Sequence, residues 1–206
     1  MYYTGQGAFL STVFPRKSGD GAEKIPPAAV EGRRKLWYTF PKHGNGGGRM
    51  EKLCIFSGHR ELPARREALA SALERAVREH LAAGYTAFAS GGAMGFDLLA
   101  AETVLRLREE DSRARLYMIL PCPGQERAYP PEEKRRYRAA LAGADLVRYT
   151  AGRYYRGCML TRDRVLAQAA DGCICYLTRS TGGTAYTVRQ AILRDVPIRN
   201  LAEELD

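Results

Sequence analysis

Three glycine-containing turns, each directly after a short apolar run, constrain the fold of this chain most. Residues 90–97, Ser-Gly-Gly-Ala-Met-Gly-Phe-Asp, follow the apolar run 85–89 and precede a helical pattern. Turns at residues 57–60 and 181–184 follow two further apolar runs. Glycine lets the backbone N–H groups at a helix N-terminus approach an anion closely. The pattern therefore predicts strand-turn-helix units that hold phosphate.

Short apolar runs alternate with amphipathic stretches along the rest of the chain. The runs predict strands at 53–57, 85–90, 115–120, 145–150, 173–177 and 197–200. The stretches predict helices at 63–83, 94–108, 132–141, 157–169 and 184–194. This order is typical of the α/β class, and we predict a single Rossmann-like, doubly wound, mostly parallel sheet with helices on both faces. Ligands bind beyond the carboxyl ends of such strands, where the three glycine turns would converge.

The first 50 residues differ in composition from the rest of the chain. They hold eight Lys or Arg against three acidic residues, while residues 51–206 hold 24 against 20, so that much of the net charge of +9 lies at the start. The segment is rich in Gly and Pro and shows no apolar period. We therefore predict a disordered basic extension at 1–50 and a folded nucleotide-binding domain at 51–206. Met50 is the expected natural start, because the first strand begins a few residues later.

The composition also limits compartment and cofactors. We find no apolar run of membrane-spanning length and no signal-peptide pattern, and expect no membrane partner. Three of the five cysteines fall inside strand-like runs, which favours a reducing, cytoplasmic setting. Cys173 and Cys175 alternate along one strand, but two thiols without further ligands make a poor zinc site. We expect neither a metal nor a cofactor.

Five motifs carry a resemblance to a known family. They are FSGHR at 56–60, SGGAMGFD at 90–97, PCPGQ at 121–125, YRGCM at 155–159 followed by Arg162, and GGTAYTV at 182–188. In this order they resemble the YpsA-like family of the SLOG superfamily. The resemblance covers residues 51–205 and implies a Rossmann-like ligand sensor that binds nucleotides or nucleotide derivatives, with no established catalytic activity.

The same superfamily includes two kinds of protein with other functions. One is the LOG phosphoribohydrolases, whose glycine loop carries a glutamate that takes part in cleaving the N-glycosidic bond. Aligning the paired glycines places Arg189 at that position, while Arg162 matches the partner arginine. Arginine cannot act as an acid or base at neutral pH, so the sequence favours binding over turnover and assigns no catalytic residue. The other is the DNA-processing protein DprA. Residues 90–97 of this chain resemble the glycine motif of DprA.

We predict that the ligand-binding residues come from the ends of the strands, the glycine turns and one helix. They are Ser57, Gly58, His59, Arg60, Ser90, Gly91, Gly92, Gly95, Asp97, Arg162, Gly182, Gly183 and Thr184. Each residue also has a structural alternative: the glycines can form tight turns for close packing, and Asp97 and Arg162 can form ion pairs.

The expected partner is a nucleotide or a molecule derived from one. Two alternatives stay open: a hydrolase of an N-glycosidic or phosphate bond, which would need Glu126 or Asp97 as its carboxylate, and a DprA-like single-stranded DNA binder. Nucleic acid is not expected, because positive and negative charges nearly balance over residues 51–206. The oligomeric state stays open between a monomer and a homo-oligomer.

Overall fold

A six-stranded parallel sheet organises the protein, whose computed structural model describes residues 51–205. The strands are β1 (Lys52–Gly58), β2 (Tyr85–Ser90), β3 (Arg115–Leu120), β4 (Leu146–Tyr149), β5 (Gly172–Tyr176) and β6 (Ile198–Asn200). They follow the order β4-β3-β2-β1-β5-β6, and every neighbouring pair is parallel. The predicted fold class is confirmed. The predicted extension at 1–50 and the start at Met50 lie outside the described residues.

Five α-helices connect the strands. They are α1 (Arg66–Ala82), α2 (Phe96–Arg108), α3 (Pro131–Gly143), α4 (Cys158–Ala169) and α5 (Gly182–Ile192). Two 3-10 segments, Gln125–Ala128 and Leu201–Glu204, were not predicted, because four residues are too few to show a period. Helix α5 begins two residues earlier than predicted, so Gly182 and Gly183 lie in its first turn.

The sheet is buried on both faces, as the near-continuous apolar runs of its central strands indicate. Along β1, Cys54 and Phe56 contact the core beneath helices α1, α2 and α3, whereas Leu53 and Ile55 contact the core beneath α4 and α5. None of the described helices is both long enough and apolar enough to cross a membrane.

The strand order reverses between β1 and β5. From β1 the chain runs outward to β4, and it then crosses back to place β5 on the other side of β1. The connections after β1 and β5 therefore leave in opposite directions, which opens a crevice at the carboxyl ends of these two strands. We call the side of the sheet where the strands end the carboxyl edge.

Two aspartates fix strand register at the opposite edge. Asp171, just before β5, donates its N–H to the carbonyl of Leu53 and accepts the N–H of Leu53 on Oδ2, both at 2.8 Å. Asp145, just before β4, makes the same pair of 2.8 Å hydrogen bonds with Leu116. Each carboxylate thereby extends the ladder of a parallel pair by one residue.

Replacing Asp171 tests this clamp. Asp171→Ala leaves the N–H of Leu53 without its acceptor, and we expect the free energy of unfolding in urea to fall by about 1 kcal/mol. Asp171→Asn keeps an oxygen acceptor and is expected to lose less. Equal stability of Asp171→Ala and the parent protein would show that water replaces the carboxylate at no cost.

Candidate functional site

A cleft of about 340 Å³ opens at the reversal point of the sheet. Its walls come from the end of β1 and the residues that follow it, the glycine turn and first turn of α2, the inner face of α4, and the first turns of α5. Most of the predicted ligand-binding residues line it. They are Ser57, Gly58, His59, Arg60, Asp97, Arg162, Gly182, Gly183 and Thr184.

The first turn of α5 faces this cleft without a cap. Thr181 is the N-cap residue, and its side chain makes no capping hydrogen bond. Gly182, at φ +92°, and Gly183 are exposed. Since the first amides of a helix have no acceptor within the helix, these N–H groups can donate to an anion at the positive end of the helix dipole.

Two exposed arginines lie at the mouth of the cleft. Arg60 follows β1 and Arg179 follows β5, so they approach from the two strands on either side of the reversal point. Neither forms an ion pair with any residue that the structure describes. Together with the α5 amides they make this side of the cleft attractive to a phosphate.

The inner wall holds a nearly buried cluster of Asp97, Arg162 and Asp163. The Nε of Arg162 lies 2.7 Å from Oδ1 of Asp163, and its Nη1 lies 4.0 Å from Oδ2 of Asp97. The same Nη1 donates to the carbonyl oxygen of Gly91. Oδ2 of Asp97 also accepts the N–H of Ala93 at 3.3 Å. Two carboxylates thus share one guanidinium, and the inner wall offers hydrogen-bond acceptors.

Burial changes the acidity of both carboxyl groups. Desolvation raises the pKa of Asp97 to about 6; Arg162 opposes the rise, and the charge of Asp163 adds to it. Burial likewise raises the pKa of Asp163 above its ordinary value, again opposed by Arg162. Single carboxylates paired with arginine usually show the opposite shift, so in this cluster desolvation outweighs the ion pair.

His59 joins the two strands that border the cleft. Its Nε2 accepts the N–H of Thr178 at 3.0 Å, and its carbonyl oxygen accepts the N–H of Phe96 at 3.2 Å. Burial, followed by the charge of Arg179, lowers the pKa of the imidazole, so the ring is neutral at pH 7. The residue was predicted to bind ligand, and the structure shows that it also holds β1, α2 and the segment after β5 together.

The glycine turn at 90–97 lies largely behind the cleft. Four of its predicted ligand-binding residues do not line the cleft: Ser90, Gly91, Gly92 and Gly95. At Gly92, φ +66°, a Cβ would lie 2.9 Å from Leu120, and the amide already donates to Ser90 Oγ at 3.1 Å. At Gly95, φ +77°, a Cβ would overlap the carbonyl of Arg60. Close packing accounts for these glycines, and their phosphate role stays a prediction.

Asp163, Arg179 and Thr187 line the cleft although the predicted site did not include them. A signal was available for Arg179, because it follows β5 just before a glycine turn, much as Arg60 follows β1. Arg189 is exposed, and neither Arg189 nor Glu126 lines the cleft. Among residues 51–205, no group of His, Cys, Asp or Glu is arranged to hold a metal ion.

Comparison with known proteins identifies the family. The family model described as the YspA SLOG family, YpsA, matches residues 46–196. The chain belongs to the YspA SLOG family. A UPF0398 protein of Bacillus velezensis is 29% identical over 123 residues, covering 58% of this chain and 68% of that protein. A UPF0398 protein of Oceanobacillus iheyensis is 26% identical over 144 residues, covering 68% and 78%. The resemblance inferred from the five motifs is therefore confirmed.

Two solved structures share the fold of this SLOG protein. DNA processing protein A (DprA) of Streptococcus pneumoniae has a TM-score of 0.53 and 18% identity, covering 72% of this chain and 49% of its own. The chain thus spans about half the length of that protein. DprA of Helicobacter pylori, described by its single-stranded DNA binding mode, has a TM-score of 0.53 and 17% identity, covering 75% and 71%.

The expectation that nucleic acid is not a partner was wrong as it stood, since a protein with this fold is described as a binder of single-stranded DNA. The expectation rested on net charge, which ignores how charges are paired. On the helices of the described region, Arg78 and Arg106 pair with Glu74. By contrast, Arg60 and Arg179 at the carboxyl edge form no ion pair with a described residue. A nearly neutral total therefore hides two exposed arginines at this edge that no described acidic residue pairs with, although the exposed Glu61 also lines the cleft.

The raised pKa of Asp97 predicts a pH-dependent stability. The folded protein binds this proton up to about pH 6, whereas the unfolded chain releases it near the ordinary value of 3.8. The stability contribution of this group is therefore greatest at low pH and falls as the pH rises from about 4 to about 6, by about 2 kcal/mol. Asp97→Asn removes this dependence. The melting temperature of the variant minus that of the parent should therefore increase as the pH rises from 4.5 to 7.5. A constant difference would show that Asp97 titrates normally.

Proposed function

We propose that this SLOG protein binds a nucleotide or nucleotide derivative in the cleft at the reversal point of the sheet. The observation that carries the proposal is the uncapped first turn of α5, which opens into a cleft flanked by Arg60 and Arg179, two arginines that form no ion pair with a residue in 51–205. Oriented amides at a helix N-terminus and guanidinium groups are the groups that proteins use to hold phosphate. The cleft volume of about 340 Å³ is within the range of small-molecule sites.

The buried carboxylates set the orientation of the ligand. Asp97 and Asp163 would repel a phosphate but accept hydrogen bonds from hydroxyl groups. A nucleotide would therefore place its phosphate on the α5 amides and its ribose hydroxyls against the inner wall. A phosphate and a diol on one small molecule are the features of a nucleotide that this arrangement fits.

We propose binding rather than turnover as the role of the cleft. The position at which the phosphoribohydrolases carry their glutamate is occupied by Arg189, an exposed residue outside the cleft. Asp97, a carboxylate that a hydrolase could use, does line the cleft, but its Oδ2 already accepts the N–H of Ala93 and lies 4.0 Å from Nη1 of Arg162. The proposed setting is the cytoplasm, because all five cysteines are free thiols.

Gly183→Ala tests the phosphate site with little risk to the fold. A Cβ at this position would have one neighbour within 4 Å, Oδ2 of Asp163 at 3.5 Å, and would lie beside the amides that are to hold the phosphate. We expect at least tenfold weaker binding of nucleoside 5′-monophosphates by calorimetry. The melting temperature should not fall, since alanine favours a helix over glycine.

Gly152→Ala provides the matched control for this experiment. Gly152 has no atom within 4 Å of an added Cβ, has no positive φ and lies outside the cleft. The Gly152→Ala variant should bind the monophosphates as tightly as the parent does. If Gly183→Ala binds them as tightly as the parent and Gly152→Ala, the phosphate does not lie on α5 and the proposed orientation is wrong.

A second candidate function is the binding of single-stranded nucleic acid. The observation that favours it is the set of carboxyl-edge arginines that no described acidic residue pairs with, together with the fold shared with the Helicobacter pylori protein. Guanidinium groups that are available to phosphates are the electrostatic requirement for holding a nucleic-acid backbone. Arg60, Arg153, Arg156 and Arg179 all follow strand ends at this edge.

Arginine replacements measure how much these side chains contribute to the binding of single-stranded nucleic acid. Arg179→Ala should weaken binding of a fluorescent 20-nucleotide thymidine strand severalfold in anisotropy titrations and lower the salt dependence by about one phosphate contact. Arg138→Ala is the charge-matched control, since Arg138 is exposed on α3 away from the edge. If both variants lose affinity equally, the binding follows total charge and not this edge.

A further inference from the structure

The loop between β4 and α4 exposes two consecutive aromatic rings between two arginines. Tyr154 is 70% exposed and Tyr155 is 43% exposed. Arg153 and Arg156 on either side are also exposed, and neither forms an ion pair within the described part of the chain. We call residues 153–156 the tyrosine loop. Leaving apolar ring surface in water is unfavourable, and the described part of the fold covers only about a third of Tyr154 and somewhat more than half of Tyr155.

The tyrosine loop is anchored on α4. The hydroxyl of Tyr155 donates to Oγ1 of Thr161 at 2.7 Å, and the carbonyl oxygen of Tyr155 accepts the N–H of Cys158 at 3.1 Å. A third hydrogen bond, from the N–H of Thr161 to the carbonyl of Gly157, measures 3.0 Å. These contacts hold the ring of Tyr155 against the first turns of the helix, so it is presented in a defined position.

The same helix joins the tyrosine loop to the cleft. Thr161, which holds Tyr155, directly precedes Arg162 and Asp163 of the inner wall, and Met159 on the first turn also lines the cleft. The loop follows β4, so it lies at the carboxyl edge with Arg60 and Arg179. A ligand longer than one nucleotide could therefore contact both the cleft and the loop.

We propose that the tyrosine loop is a stacking platform for the bases of a single-stranded nucleic acid whose phosphates lie on Arg153 and Arg156. The proposal rests on the second candidate function, because it needs a strand at the carboxyl edge. Exposed rings present flat faces to unpaired bases, and the flanking guanidinium groups neutralise the backbone between them. In a duplex the base faces are stacked on each other, so the platform selects single strands. The flanking positive charges fit a polyanion and disfavour a purely apolar partner.

Ring replacements in the full-length protein test the proposal. The probes are fluorescent 20-nucleotide thymidine and uridine strands, titrated by anisotropy, with unlabelled duplex DNA as competitor. Tyr154→Ala should weaken binding of the strands about tenfold, while Tyr154→Phe, which keeps the ring, should stay within about twofold of the parent. Leu193→Ala is the exposure-matched control, because Leu193 is 72% exposed just after α5 at the opposite edge. The affinity of Leu193→Ala for both strands should equal that of the parent.

The outcomes separate this inference from the functions it builds on. If the parent binds the strands and Tyr154→Ala binds them equally well, the platform is wrong while single-strand binding stands. If the parent binds neither strand, single-strand binding and the platform both fail, and nucleoside monophosphate binding, measured separately by calorimetry, is unaffected. Equal losses in Tyr154→Ala and Tyr154→Phe would assign the effect to the hydroxyl and overturn stacking. Preference for the thymidine or the uridine strand identifies the kind of nucleic acid.

Discussion

The side chain of Arg162 connects three parts of the site. From α4 it reaches the carbonyl of Gly91 behind β2, the carboxylate of Asp163 on its own helix and that of Asp97 on α2. Burying three charged groups is costly, and removing one partner from such a cluster leaves a charge without compensation. The guanidinium also explains an adjacent backbone requirement, since a Cβ at Gly91 would overlap its Nη1. The inner wall of the cleft therefore depends on one arginine and on the absence of a side chain opposite it.

The glycines of this fold divide into two groups by what surrounds them. At Gly92 and Gly95 an added Cβ would meet core side chains or backbone, so these positions let α2 pack closely against β1 and β3. At Gly182 and Gly183 an added Cβ would meet open space or one carboxylate oxygen. The first group shapes the scaffold, and the second leaves room for a ligand at the start of α5. A glycine motif in the sequence contains both kinds without distinguishing them.

Periodicity predicted the strands and helices well because the central strands are buried on both faces and most of the helices on one. It missed what depends on neighbours in space. Asp163 lies next to the predicted Arg162, but its burial follows from the packing of α4 against α5. Arg179 becomes important because β5 lies beside β1, which the chain order does not state. The expectation about nucleic acid failed for a similar reason, since a sum of charges contains no information about which arginines are paired.

The buried carboxylates also connect the two proposed functions. Two acidic groups on the inner wall would repel a phosphate from that part of the cleft, so the proposed phosphate position is at the helix end and the arginines. A nucleotide held in this way has its phosphate at the rim of the cleft. The next phosphate of a strand would then continue along the carboxyl edge, where Arg153 and Arg156 flank the tyrosine loop. The charge pattern of the cleft is thus compatible with a free nucleotide and with one nucleotide of a strand. The two ligands would differ in whether they continue from the cleft along its rim.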